Sequence, residues 1–548
     1  MLNPWVFGDE YLYISKARNL KWGIDIISDA TLGHAYPPLY SYLLAPAIAE
    51  TAQESYTQIQ LLNFGISQLL IIASFYLLNK VFHFTKSEKG WLFLILAYLL
   101  TSTLPAISGY HLVAMSENLY TPLLLLISSF FIYLQAKQSQ KSWHWGVFAL
   151  LGGLAILTRS IGLALLPASV LAFLYLRGQS WRKWLAPLLI AILGMLLSWQ
   201  VWERVESSFV QQVSQASSQI SYNPNSYLRV FSEALAGRHN FLATFKVTGN
   251  HLIYLFLASF AWPFLFYLAE INNAWRRRNW RQLSPEFIWL TSAGVFAFGL
   301  SYLHSYLGFL ANPIKYSTYF RYMDPTVALF WLYGLLRLWQ YLEKKFTLHK
   351  LELGLFAGLT VSLILMLPSR DFYSTINSLG WSYLDLLRGQ AQLIRPVLLL
   401  LPLIFLISLR LARKWLLAMA FLLLSLNLLS LRLNYLDLHR WQAGIYQDNV
   451  DPLLEQLLVK EGVQQFYLQA SAVKQQSDHS KLYYLKYHLL FANRDLLPMP
   501  LIDFATKKSE LIGAGSSFAL VDLPQAVYDE ASASYPLGEE WRVFIFKL

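Results

Sequence analysis

Apolar runs recur along most of this chain, several of them short for a membrane span, and short basic stretches break them up. The runs are Leu61–Leu78, Trp91–Ile107, Leu119–Leu134, Trp145–Leu157, Gly162–Leu176, Leu185–Trp202, Leu252–Leu268 and Phe287–Leu303. Val327–Tyr341, Leu353–Leu367, Val397–Leu409 and Trp415–Leu431 complete the series. A helix needs about 20 apolar residues to cross a bilayer. The pattern therefore predicts a mainly α, polytopic membrane protein with about twelve transmembrane helices. Composition agrees: 56% of residues are hydrophobic and 14% charged, where soluble domains are about 25% charged.

The basic residues are spread over alternate loops rather than gathered on one face. They are Lys80/Lys86/Lys89, Lys137/Lys141, Arg177/Arg182/Lys183, Arg276/Arg277/Arg278/Arg281, Lys344/Lys345/Lys350 and Arg410/Arg413/Lys414. By the positive-inside rule these loops are cytoplasmic, and a multi-pass protein of the cell (plasma or inner) membrane is expected. The net charge of +11 then reports topology, and no nucleic-acid partner is expected. The opposite set faces outside: Met1–Tyr56, Ser108–Asn118, Glu203–His251, Gly308–Asp324, Ser369–Pro396 and everything from Arg432 on. With no cysteine, disulfides and thiol chemistry are excluded. Asp9, Glu10, Lys16 and Arg18 occupy the place where a cleavable signal would have its apolar core.

Past residue 431 the apolar runs shorten and charges become frequent. "VQQFYLQA" (Val463–Ala470), "FALVD" (Phe518–Asp522) and "RVFIFKL" (Arg542–Leu548) read as strands. "DPLLEQLLVKEG" (Asp451–Gly462) and "KLYYLKYHLLF" (Lys481–Phe491) read as amphipathic helices. Two domains are expected, a membrane domain over 1–431 with its outside loops, and a small extracytoplasmic α/β domain over 432–548. "GAGSS" (Gly513–Ser517) lacks the lysine of a phosphate loop and reads as a turn. Gly152-Gly153 reads as close helix packing.

The chemistry-bearing stretch is "DEYLYISKAR", Asp9–Arg18. As a helix it puts Asp9, Tyr13 and Lys16 on one face, with Glu10, Ile14 and Ala17 beside them. "YPPLYSYLLAPA" (Tyr36–Ala47) follows, then "MSENLYTPLLLL" (Met115–Leu126), "LGGLAILTRSIGLALLPA" (Leu151–Ala168) and "YFRYMDP" (Tyr319–Pro325). In this order the motifs resemble membrane glycosyltransferases of the GT-C fold, in the branch of protein O-mannosyltransferases (glycosyltransferase family 39) and the lipid A aminoarabinose transferase. The resemblance implies an inverting transfer of a sugar from a polyprenyl-phosphate donor to an acceptor hydroxyl or amine at the outer face.

Under that resemblance Asp9 is the expected base, since the phosphate already leaves readily and only the nucleophile's proton must be removed. Glu10 and Glu117 are the accompanying acids. Arg321, Arg159, Lys16 and Lys315 are candidates to hold the donor phosphate, and Tyr13, Tyr36 and His111 candidates to contact substrate. No cofactor is expected as a requirement, although magnesium or manganese is compatible with the oxygen ligands of Asp9, Glu10 and Glu117. The partners implied are the lipid-linked donor, the bilayer, and an acceptor that is protein, lipid or glycan. Two features depart from the family. Tyr36 stands where the aminoarabinose transferases have a lysine, and Met1 lies too close to Asp9 for the span that precedes this pair elsewhere. The alternative reading is a transporter or flippase of lipid-linked glycans, which would place its ionisable groups in mid-span.

Overall fold

The computed structural model describes residues 8–23, 37–138, 141–176, 181–213, 241–280, 283–311, 320–365, 379–387, 390–411, 413–442, 451–463, 465–475, 482, 485–487, 489, 501–513, 517–537, 539 and 541–547. Among these residues helices form where the apolar runs lie. Six are long and apolar enough to cross a membrane: Ala52–Phe82, Glu117–Ala136, Leu185–Trp202, Pro285–Leu303, Gln392–Leu409 and Leu416–Leu436. The number rises to eight if each of two bent pairs is counted as one span. The remaining runs of the expected twelve form shorter or less apolar helices, such as Ser142–Thr158, Ser160–Tyr175 and Asp324–Leu342.

The long helix Ala52–Phe82 shows which solvent this fold is built for. Its exposed face carries Leu61, Phe64, Leu69, Ile72 and Tyr76, while Asn63, Ser67 and Ser74 are buried. Apolar residues outside and small polar residues within suit a helix standing in lipid. Helix Glu117–Ala136 lies at the centre, with 78% of its span window buried. Around it sits an aromatic core in which Phe131 stacks on Trp289 at 4.3 Å and Trp145, Phe148 and Phe173 close the sides. The glycine pair packs as expected. A Cβ on Gly153 would overlap the Ser198 hydroxyl, and one on Gly194 would come within 2.7 Å of Ala149 Cβ, so helices Ser142–Thr158 and Trp181–Val213 approach at backbone distance.

Two breaks matter for the site. Glu88–Ser102 bends by 49° into Pro105–Leu112, and Thr248–Ala258 turns by 107° into Pro263–Arg276. The second break runs through Phe260 and Ala261, both with positive φ (55° and 63°). Positive φ is uncommon for residues with a Cβ, so the surrounding packing must impose this turn. It leaves Tyr254 near the end of its half-helix.

The last long helix, Arg413–Gln442, runs past the boundary drawn at 431. Beyond it lies a five-stranded sheet, β1 (Gln465–Gln469), β2 (Leu501–Ile502), β3 (Phe518–Asp522), β4 (Ala533–Leu537) and β5 (Trp541–Phe546), in the order β2-β1-β3-β5-β4. β1 runs parallel to β2 and β3, and β5 is antiparallel to β3 and β4, with Ala519 opposite Ile545. Strands β1, β3 and β5 are those expected from the sequence. β2 has two residues and β4 alternates polar positions around Pro536, the composition of edge strands. The helix read at Asp451–Gly462 is present as an α-turn and a π-turn, Asp451–Glu455 and Gln456–Lys460. Residues 514–516 of "GAGSS" lie outside the described residues.

Candidate active site

The site is assembled on irregular backbone. After the short turn Gly109–Leu112 the chain is extended at Val113, then enters helix Glu117–Ala136. Extended backbone in a buried place needs partners for its peptide groups, and side chains from three elements supply them. Asn63 and Asn118 donate to the Val113 carbonyl at 3.0 and 2.8 Å. Tyr56 and Gln60 donate to that of Leu112 at 3.2 and 2.9 Å. The Ala114 amide donates to Glu10 Oε1 at 2.6 Å.

Glu10 is fully buried and also accepts from the Tyr56 hydroxyl at 2.8 Å. Three residues on, the Tyr13 hydroxyl donates to Ser116 Oγ at 2.9 Å. Helix Gly8–Trp22 is thereby fastened along segment 114–116. Tyr40, from the Pro-Pro segment, meets Tyr13 edge-on at 5.1 Å and donates to Asn63 at 2.9 Å. Burial pushes the Tyr40 phenol well above its ordinary value, so it stays a neutral donor.

At the first turn of the central helix, Glu117 is buried and forms an ion pair with Arg159. Arg321 Nε lies 3.8 Å from the same carboxylate oxygen, Oε1. Arg159 is the extended residue that ends helix Ser142–Thr158, and Arg321 opens the short turn Arg321–Met323. The Tyr322 ring faces both guanidinium carbons, at 4.7 and 5.3 Å. Arg321 Nη1 also points at the Met115 sulfur, 3.8 Å away. Two arginines from distant parts of the chain thus meet on one carboxylate and one ring, a few residues from where the amino-terminal helix is held.

Next to this cluster Asp324 accepts from the hydroxyls of Tyr110 (2.6 Å) and Tyr254 (2.5 Å), and Tyr254 in turn accepts from the Gly380 amide (2.9 Å). A Cβ at Gly380 would stand 2.5 Å from that tyrosine oxygen and 3.0 Å from Asp324 Oδ1, so only glycine allows this approach. Asp324 was not among the residues read from the sequence as functional. Its signal was present, an acid opening an apolar helix in "YFRYMDP".

The structure therefore brings Glu10, Tyr13, Glu117, Arg159 and Arg321 to one neighbourhood. Asp9 lies in the same helix as Glu10, one residue earlier, and its side chain is outside the described residues. Tyr36 and Lys315 also lie outside them. Lys16 is half-buried on the amino-terminal helix. His111 is buried with its ring edge-on to Phe64 at 5.7 Å, and among the described residues its Nε2 has no hydrogen-bond partner. Among the described residues no three His, Asp or Glu side chains gather as metal ligands do. A divalent ion at Asp9, Glu10 and Glu117 would have to displace Tyr56 and Ala114 from Glu10 and Arg159 from Glu117.

No family model matches this chain, and no curated protein matches it. Among solved structures it is similar to two crystal structures of ArnT from Cupriavidus metallidurans, one bound to undecaprenyl phosphate and one in the apo state. Each shares 13% sequence identity at a TM-score of 0.49, over 99% of this chain and 94% of the other.

Proposed function

We propose that this chain is an inverting membrane glycosyltransferase, taking a sugar from a polyprenyl-phosphate donor to an acceptor hydroxyl or amine at the outer face of the membrane. The observation that carries the reading is the convergence of Arg159 and Arg321 on Glu117 and Tyr322, beside a carboxylate-bearing helix. A guanidinium pair in an apolar setting is suited to holding phosphate oxygens by charge-assisted, fork-shaped hydrogen bonds. The sequence motifs of the amino-terminal helix support the same reading.

The chemistry follows from those parts. Asp9 takes the proton from the acceptor as its oxygen or nitrogen bonds to the anomeric carbon. The bond from that carbon to the phosphate oxygen breaks, and its electron pair leaves on the lipid phosphate. Attack from the opposite side inverts the centre, unlike the two-step route through a carboxylate nucleophile. Arg321 and Arg159 stabilise the charge that grows on the phosphate. Glu117 is the counter-ion that keeps both guanidiniums in one place before the donor arrives.

The test is mass spectrometry of envelope glycans in cells with and without the gene, complemented by variants. Asp9→Asn should remove the product with a loss of about 10²–10⁴-fold, the range for general-base groups, and leave donor binding intact. Arg321→Ala should weaken binding of a polyprenyl phosphate. A glycan inventory indifferent to the gene would end the reading. Glycans lost with the donor trapped on the cytoplasmic leaflet would replace it with a flippase.

A further inference from the structure

The carboxyl-terminal unit and the amino-terminal helix share one hydrophobic core. Tyr11, Leu12, Tyr13, Ile14 and Ala17 pack in the same cluster as Leu482, Leu485 and Tyr487, together with residues from β1, β3 and β5. All five residues of β3 are buried. Ala519 and Val521 face this shared core, and Phe518 and Leu520 face a second one around Phe504.

Two neighbouring residues of the tail touch both sides of the joint beneath Glu10. Lys486 is only 2% exposed, with its Nζ 5.6 Å from the centre of the Tyr11 ring. Lysine is almost never fully buried unless its charge is satisfied, and an aromatic face contributes to that in a dry setting. The Tyr487 hydroxyl donates to the Ala52 carbonyl at 2.6 Å, at the start of helix Ala52–Phe82, and its ring stands edge-on to Tyr56 at 6.3 Å. Tyr56 is the residue whose hydroxyl reaches Glu10. The chain of contact therefore runs from Tyr487 through Tyr56 to Glu10, and from Lys486 directly to the residue after Glu10.

The geometry points to Lys486 and Tyr487 as positioning residues: the tail acts as a clamp that sets where helix Gly8–Trp22 stands against segment 114–116 and so against the arginine cluster. The clamp itself rests on contacts alone. Its consequence for turnover rests on the transferase reading above. Small misplacements of a reacting group cost large factors in rate, so a clamp one residue removed from the carboxylates governs turnover without touching substrate.

The absence of cysteine makes the test direct. Spin labels on Lys21→Cys and Thr57→Cys, both exposed positions, report the distance between the amino-terminal helix and helix Ala52–Phe82 in the full-length protein. A single narrow distribution is expected in the parent, a broadened one in Lys486→Met and in Tyr487→Phe, and a narrow one again in Lys486→Arg, which keeps the cation over the ring. Envelope glycan product should fall by about a hundredfold in the first two variants and return in the third. Binding of a long-chain polyprenyl phosphate, measured on the same proteins, should stay as in the parent. A narrow distribution in both Lys486→Met and Tyr487→Phe overturns the clamp, and so does loss of polyprenyl phosphate binding in both, which would mean general unfolding. If the parent binds no polyprenyl phosphate and the glycans ignore the gene, the transferase reading fails, while the distance measurement still decides the clamp.

Discussion

Glu117 is an acid held from several sides. It is buried, it starts the central helix, and it faces two guanidiniums. A carboxylate at a helix start is favoured by the helix dipole, but the larger consequence is mutual. With Glu117 gone, Arg159 and Arg321 would confront one another across Tyr322 without the carboxylate that both face. Breaking a buried ion pair from one side costs about 3–5 kcal/mol, whereas replacing the whole pair by apolar residues is often close to neutral. Glu117→Gln should therefore lower the thermal unfolding temperature in detergent, and adding Arg159→Met should recover much of the loss. A Glu117→Gln protein that melts like the parent would show that the carboxylate is not the counter-ion. Asp324 differs in kind, since its partners are neutral hydroxyls. The sequence marked Arg159 and Arg321 separately, and nothing in their spacing revealed that they meet.

Among the elements, the tail sheet offers the clearest electrostatic test, because Glu461 and its partners lie outside the membrane-spanning segments. Glu461 follows the π-turn and accepts from Lys547 at 2.8 Å, Tyr535 at 2.7 Å and Gln456 at 2.9 Å. The lysine first, then the tyrosine and the glutamine, hold its carboxyl down at about 2. A depressed carboxylate contributes stability above its unfolded value, near 4.5, and loses that contribution as pH falls from there through about 2. Acid titration of the tail, followed by a fluorophore on Val527→Cys, an exposed position, should show a transition in that window. Glu461→Gln should remove the Glu461 component of it, and an identical acid limb in the variant would refute the assignment. The three strands with continuous apolar character were legible in the sequence, and β2 and β4 were not. A two-residue strand carries no periodicity, and β4 is held by pairing to β5 rather than by its own pattern.

At the scale of the whole molecule the two ends of the chain form one unit. Truncation after Gln442 should strip the cover from Tyr11, Ile14 and Ala17, so the amides of helix Gly8–Trp22 should lose their protection against hydrogen exchange while those of Glu117–Ala136 keep theirs. Equal protection in both helices after truncation would mean that the amino-terminal helix stands without the tail. The buried Glu270–Arg337 pair, 2.8 Å apart and closed further by Tyr333 and Ser284, joins helices Pro263–Arg276 and Asp324–Leu342 in the same integrating way. The sequence by itself determined where the apolar helices lie and three of the tail strands. These follow from composition and period, which are local. Only the tertiary structure decided that Glu10 is spent on the Ala114 amide, that two distant arginines share Glu117, that Asp324 sits between two tyrosines, and that the tail closes over the first helix. Such contacts join residues far apart along the chain, and their partners are chosen by packing, which no local pattern encodes.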